Sequence, residues 1–266
     1  MAACVAPPKG RPGECQAMSY LRIQSLGKRY GGVVALDGVS LEIAGAGIYG
    51  LIGPNGAGKT TLFDCLAGTT EPDQGRVWLQ GRDVTGWPAH RIARLGVART
   101  FQECRILPEE TCLNNVLFAA QPQGLGGNLV QIFTRRRGHR VAALDEAMRL
   151  LHLVRLQDHA HAPAAELSFG QRRLLEIVSI FMAQPEMLLL DEPASGVNPS
   201  LLQVLGEFVK TMMAERPRVM LLVEHNMAFV MDMAQDIIVM HQGQVLERGT
   251  PAQVQASAKV VEAYLG

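Results

Sequence analysis

A chain of 266 residues with 48% hydrophobic and 19% charged content has the balance of an ordinary globular protein of one large or two small domains, neither disordered nor fibrous. Twenty-five Lys and Arg offset 25 Asp and Glu, so no global field gathers polyanions, and a general nucleic-acid coat is excluded. No run approaches the roughly 18 consecutive apolar residues of a spanning helix. The five cysteines, Cys4, Cys15, Cys65, Cys104 and Cys112, are odd in number and form no C-x-x-C pair, which fits a reducing compartment better than a disulfide or zinc framework.

In chain order, residues 1–18 are rich in Pro and Gly, have no apolar h-region, and read as a flexible leader ahead of one domain over 19–266. Leu21–Leu26, Val39–Ile43 and Ile48–Ile52 are short apolar runs bounded by Gly or polar residues and read as strands. Lys59–Ala67 reads as a helix, Arg76–Leu79 as a strand and His90–Leu95 as a short helix, followed by an irregular segment around Phe101–Pro108. Residues 121–140, with four glycines and the basic run Arg135–Arg137, read as an exposed loop or insertion. Ala142–Val154 has helical spacing, with Leu144, Met148, Leu151 and Val154 predicted on one face; Ser168–Ala183 and Leu201–Met213 read as further helices. Met187–Leu190, Val219–Val223 and Ile237–Met240 read as buried parallel strands. The alternation of strand and helix predicts α/β architecture with a mostly parallel sheet.

Gly53-Pro54-Asn55-Gly56-Ala57-Gly58-Lys59-Thr60 fits G-x-x-x-x-G-K-[ST] between a strand and a helix, the context that a phosphate cradle requires. Its glycines let backbone N–H groups converge on phosphate oxygens, the helix aims its positive end at the same anion, and Lys59 adds a point charge. Thr60, followed by Thr61, supplies a hydroxyl for Mg²⁺. The apolar strand ending at Asp191 supplies a carboxylate for that cation, and Glu192, whose side chain diverges from that of Asp191, is the general-base candidate at the γ-phosphate.

Leu167-Ser168-Phe169-Gly170-Gln171 resembles the L-S-G-G-Q signature of ABC transporter ATPases, with Phe169 in place of the first glycine, and the resemblance extends from Leu21 to Gly266. It implies a P-loop NTPase fold: a mostly parallel core sheet, an N-terminal antiparallel β subdomain, and a helical signature subdomain with an insertion over about 103–183. It also implies that Tyr30 stacks on adenine, that Gln102 is the glutamine contacting Mg²⁺ and the attacking water, that Asn198 makes a polar contact across a dimer, and that His225 bonds the γ-phosphate. In this family, ATP held by Lys59 and Thr60 of one subunit is closed over by Leu167–Gln171 of another, so two cassettes make two sites.

Ala98–Gln102, Arg172–Ile177, Glu192–Pro199, Val223–Met227 and the tail Glu262–Gly266 resemble the LivG-type ATPases of branched-chain amino-acid importers. That resemblance implies a second, related ATPase, two membrane permease subunits, a periplasmic substrate-binding protein, and a peripheral place on the cytoplasmic face of the inner membrane, with no nucleic acid involved. Cys112–Val116 departs from the usual wording of its segment, which bears on partner fit. A urea or amide importer, a lipid-related exporter and a non-catalytic ATP-binding subunit are the alternatives; the exporters usually keep both signature glycines, and Glu192, His225 and Gln102 together argue against a subunit without a base. A simple kinase has no use for Leu167–Gln171.

Overall fold

Apolar residues alternate with polar ones in Leu21–Tyr30 (β1) and Val33–Ile43 (β2), burying Leu21, Ile23, Val39, Leu41 and Ile43 on one face of an antiparallel ribbon. A computed structural model describes residues 19–100, 106–119 and 137–265. The leader 1–18, Gln102 and most of the 121–140 segment lie outside them.

After β2 the chain crosses into a second sheet as Gly47–Ile52 (β3), forms the helix Lys59–Ala67 (α1), and returns to the ribbon as Gln74–Leu79 (β4) and Arg82–Asp83 (β5). The first sheet has the order β2-β1-β4-β5. Ala89–Ala93 (α2) leads to Val97–Arg99 (β6), and Cys112–Ala119 (α3), Arg137–Leu153 (α4) and Phe169–Met182 (α5) follow. The remainder alternates Met187–Asp191 (β7), Pro199–Glu215 (α6), Val219–Val223 (β8), Met227–Met233 (α7), Asp236–His241 (β9) and Gln244–Gly249 (β10), and closes with Pro251–Ala256 (α8) and Ala258–Leu265 (α9).

The second sheet has the order β10-β9-β3-β8-β7-β6, parallel throughout except for β10 on its edge. Both faces are covered, so β7 and β8 are buried at every residue, which is why they read as continuous apolar runs. One face, with Leu189, Leu221, Leu51 and Ile238, packs on α1 and the antiparallel sheet. The other, with Leu188, Leu190, Leu222 and Val239, packs under the helices from α3 to α7. The expected mixture of a parallel core and an antiparallel N-terminal sheet is present.

Two expectations need correction. The helix expected from about Val141 starts at Arg137. Its buried face is Ala147, Leu150, Leu151 and Val154, whereas Leu144 is exposed and Met148 only partly covered, because the helix is turned toward α3 and α5. The β1 and β2 strands also run longer than their apolar cores, since ribbon pairing carries them through Gly27 and Gly38 to the turn at Gly31.

Phe181 of α5 meets Phe208 of α6 edge to face, with ring centroids 5.1 Å apart and an interplanar angle of 80°. Both are fully buried. Phe181→Ala is expected to cost about 3–5 kcal/mol in urea unfolding, through lost burial and the cavity left behind, and Phe181→Leu clearly less; an unchanged midpoint for the alanine variant would contradict this packing.

Candidate active site

β3 ends in the interior and hands the chain to a tight loop, Gly53–Gly58, before α1 begins at Lys59. A Cβ at Gly53 would lie 2.1 Å from the Met240 carbonyl oxygen, and one at Gly58, where φ is +97°, would lie 2.4 Å from that of Ala35. Only glycine fits where the loop passes this close to β9 and β2. Asn55, Gly56 and Thr60 are exposed, while Ala57 is buried and closes a turn onto the Pro54 carbonyl. The first-turn N–H groups of Lys59, Thr60 and Thr61 have no intrahelical acceptor and stand at the positive end of the helix. Lys59 is buried, and its ammonium donates to the carbonyls of Gly53 (2.7 Å) and Pro54 (3.0 Å). Burial pulls its pKa down, opposed by the charges of Glu192 and Asp191, so an anion arriving at the loop meets a cation with two replaceable carbonyl partners.

β7 ends beside β3, separated from it only by β8, and brings its acids to the same edge of the sheet. Asp191 is fully buried. Its Oδ2 accepts from Arg99 at 3.1 Å, its N–H donates to the Thr100 hydroxyl at 2.8 Å, and its Oδ1 has no hydrogen-bond partner among the described residues. Burial pushes its pKa up and Arg99 opposes this. An orphaned, buried carboxylate oxygen fits one ligand position on a hard cation, the role expected of Asp191. Among the described residues no group of three or more His, Cys, Asp or Glu could hold a metal alone.

Glu192 takes a left-handed backbone, φ 47°, where its N–H reaches the Val223 carbonyl. This turns its side chain out to His225, whose Nε2 lies 3.0 Å from Glu192 Oε1. Lys59, Asp191, Glu192 and His225 thus gather at one end of the parallel sheet, where ligands of open α/β sheets bind.

The other predicted residues lie elsewhere. Ser168 caps α5 in a reciprocal box with Gln171, the Gln171 N–H bonding Ser168 Oγ and the Ser168 N–H bonding Gln171 Oε1. Gly170 packs under Leu201, and Leu167 is buried. Phe169 is half-exposed, with its ring against Gly196, where a Cβ would meet it at 2.5 Å. Asn198 caps α6, its Oδ1 accepting from the Leu201 N–H at 2.9 Å. Tyr30 is half-exposed at the end of β1 with the Lys28 ammonium 5.6 Å from its ring centroid. Gln102 falls outside the described residues.

The family model described as "ABC transporter" matches residues 36–195, and that described as "Branched-chain amino acid ATP-binding cassette transporter" matches 244–266. The chain is 41% identical over 249 residues to the high-affinity branched-chain amino acid transport ATP-binding protein LivG of Salmonella typhimurium, covering 92% of this chain and 97% of that one. The chain belongs to the ABC transporter ATP-binding cassettes. It is 40% identical to the corresponding protein BraF of Pseudomonas aeruginosa, over 92% and 97% of the two chains. Among solved structures, a nucleotide-free ATP-binding cassette from an ABC transporter aligns with a TM-score of 0.78 and 31% identity, covering 94% of this chain and 100% of that one.

The cassette is an ATP hydrolase, and its acidic site depends on side chains to which the sequence reading assigned no role. Arg99 bridges Asp191 and Asp64 and lies over the Phe63 ring. Arg173, one turn into the signature helix, donates to the main-chain carbonyls of Asp191 (2.7 Å) and Glu192 (3.3 Å) and pairs with buried Glu176. Glu224 accepts from three main-chain N–H groups beside His225 and Glu192. The available signal was a charged residue inside a buried element, as with Arg173 among Leu174, Leu175 and Ile177 of the signature helix, since such a residue needs a partner.

Lys59→Ala is expected to weaken binding of ATP at least about a hundredfold in a fluorescent-nucleotide titration, with the fold retained by circular dichroism, because the loop loses its only side-chain cation. Gly53→Ala is expected to do the same through the collision with Met240. Unchanged affinity in either variant would remove the loop from the site.

Proposed function

We propose that this chain is an ATP-hydrolysing cassette of a branched-chain amino-acid importer, paired with a second, related cassette beneath two membrane permease subunits that a periplasmic binding protein supplies. The observation that carries this reading is the match of residues 244–266 to the branched-chain amino-acid model behind a complete cassette, together with the identity to relatives named for that transport. Among the described residues no helix is long and apolar enough to cross a membrane. In this reading the permease subunits carry the solute, and the cassette sits peripherally at the cytoplasmic face of the inner membrane.

In this reading Gly53–Thr61 cradle the phosphates and Tyr30 stacks on the adenine. Thr60, Asp191 and Gln102 would hold a Mg²⁺ ion, which would supply charge neutralisation at the β and γ phosphates. Glu192 orients a water and takes its proton as the water oxygen bonds to the γ-phosphorus and the bond to the β–γ bridging oxygen breaks. His225, already 3.0 Å from the Glu192 carboxylate, steadies that acid and reaches the γ-phosphate. Ser168 and Gln171 bond each other at the exposed start of α5, which closes over ATP on the partner cassette in this reading, with Phe169 and Asn198 close by. ATP binding then closes the pair and hydrolysis reopens it.

Glu192→Gln is expected to retain ATP, lower turnover at least about a hundredfold and trap a closed cassette pair on size exclusion; wild-type turnover would remove Glu192 from its role. Ser168→Arg is expected to abolish ATPase activity although its own phosphate loop is intact, and full activity would contradict the shared site. Purification of the complex from its native membrane is expected to bring two permeases and a second cassette, with ATPase stimulated by leucine, isoleucine or valine in the presence of the binding protein. Stimulation by urea or an amide alone would reassign the substrate.

A further inference from the structure

Glu224 takes no part in the hydrolytic scheme, yet it is one of the few charged residues the fold buries, at 3% exposure. One of its oxygens accepts from the Ala194 N–H at 2.5 Å; the other accepts from His225 N–H at 3.0 Å and Asn226 N–H at 3.3 Å. These hydrogen bonds all come from main chain. A carboxylate taken out of water is costly unless its lone pairs are filled, and three N–H donors fill three of about four. Burial pushes the group's pKa up and the donors oppose it.

The donors belong to two separate segments. Ala194 lies two residues after Glu192, on the loop that leaves β7, whereas His225 and Asn226 lead into α7, whose N-cap is Asn226. Besides this carboxylate, the Glu192 N–H to Val223 carbonyl bond ties the two strand ends together, at 2.8 Å. The 3.0 Å approach of Glu192 Oε1 to His225 Nε2 is a side-chain contact between those segments, so it is only as well defined as their spacing.

We propose that Glu224 is a positioning residue for ATP hydrolysis: its carboxylate clamps the loop after Glu192 to the start of α7 and so holds Glu192 and His225 at their working separation. The proposal rests on the reading of that pair as hydrolytic. It explains why the position holds an acid. A carboxylate accepts at both oxygens, while an amide of the same shape turns two N–H donors toward main-chain donors and must release one segment. The clamp's hydrogen bonds go to Ala194, His225 and Asn226, outside the phosphate loop and the helix that follows it, so its loss bears on turnover more than on nucleotide capture.

The test is Glu224→Gln in the assembled transporter, beside wild type and Glu192→Gln. The expected result is a fall in kcat of at least about tenfold, since small misplacements of reacting groups are costly, with affinity for a non-hydrolysable ATP analogue within about threefold of wild type. Amide hydrogen exchange at Ala194, His225 and Asn226 is expected to quicken while α1 stays protected. Wild-type kcat in Glu224→Gln beside an inactive Glu192→Gln overturns the clamp alone; wild-type turnover in Glu192→Gln overturns the hydrolytic pair and the clamp with it. Equal loss of turnover and analogue binding also overturns it, as a general structural defect. Wild-type protein supplies a reading that does not depend on the variant folding: exchange at these three amides as fast as in exposed loops would overturn the clamp.

Discussion

The chemistry of this cassette depends on a carboxylate that the fold has removed from water. Asp191 closes the most buried strand of the sheet and is kept there by the Arg99 guanidinium on one oxygen and the Thr100 hydroxyl on its N–H. An isolated charge at that depth would neutralise itself. Arg99 offsets part of the penalty and leaves one oxygen with no hydrogen-bond partner among the described residues. The phosphate loop opposite shows the complementary arrangement: Lys59, partly desolvated, rests on two carbonyls that an anion can displace. The two halves of the site thus carry complementary charges, a cation at the phosphate loop and a carboxylate across β8.

The helices reach this centre through main chain more than through side chains. Arg173 from the signature helix grips the carbonyls of Asp191 and Glu192, and Glu224 grips N–H groups on the far side. A guanidinium from α5 thus binds carbonyls, and a carboxylate binds N–H groups, around the same strand end. Phe169, exposed at the start of that helix, rests its ring on Gly196 of the loop that follows Glu192.

Much of this was legible in the sequence. Buried parallel strands announce themselves as unbroken apolar runs, and β7 and β8 lie where Met187–Leu190 and Val219–Val223 placed them. The helix over Lys59–Ala67 matched because a glycine-rich turn starts it and Gly68, in a left-handed conformation, ends it. The chain after Met240 received no assignment. β10 is an edge strand with half-covered residues and no apolar run, and α8 and α9 are too short to show a period. The start of α8 did carry a mark, Thr250 with Pro251 and Gln253, which forms a capping box in the structure. The face of α4 was misjudged because two rotations of a helix can each present four apolar residues, and only contact with α3 and α5 decides between them. Motif spacing singled out Lys59, Asp191 and Glu192, and the family resemblance singled out His225, while Arg99, Arg173 and Glu224 serve as partners to backbone and buried charge, a relation that linear spacing does not encode.

The left-handed backbone at Glu192 carries a further consequence. An L-residue held there gives up roughly 1–2 kcal/mol that glycine would not. Relief of that strain by glycine would remove the carboxylate as well, so at this position the backbone cost and the acid cannot be separated.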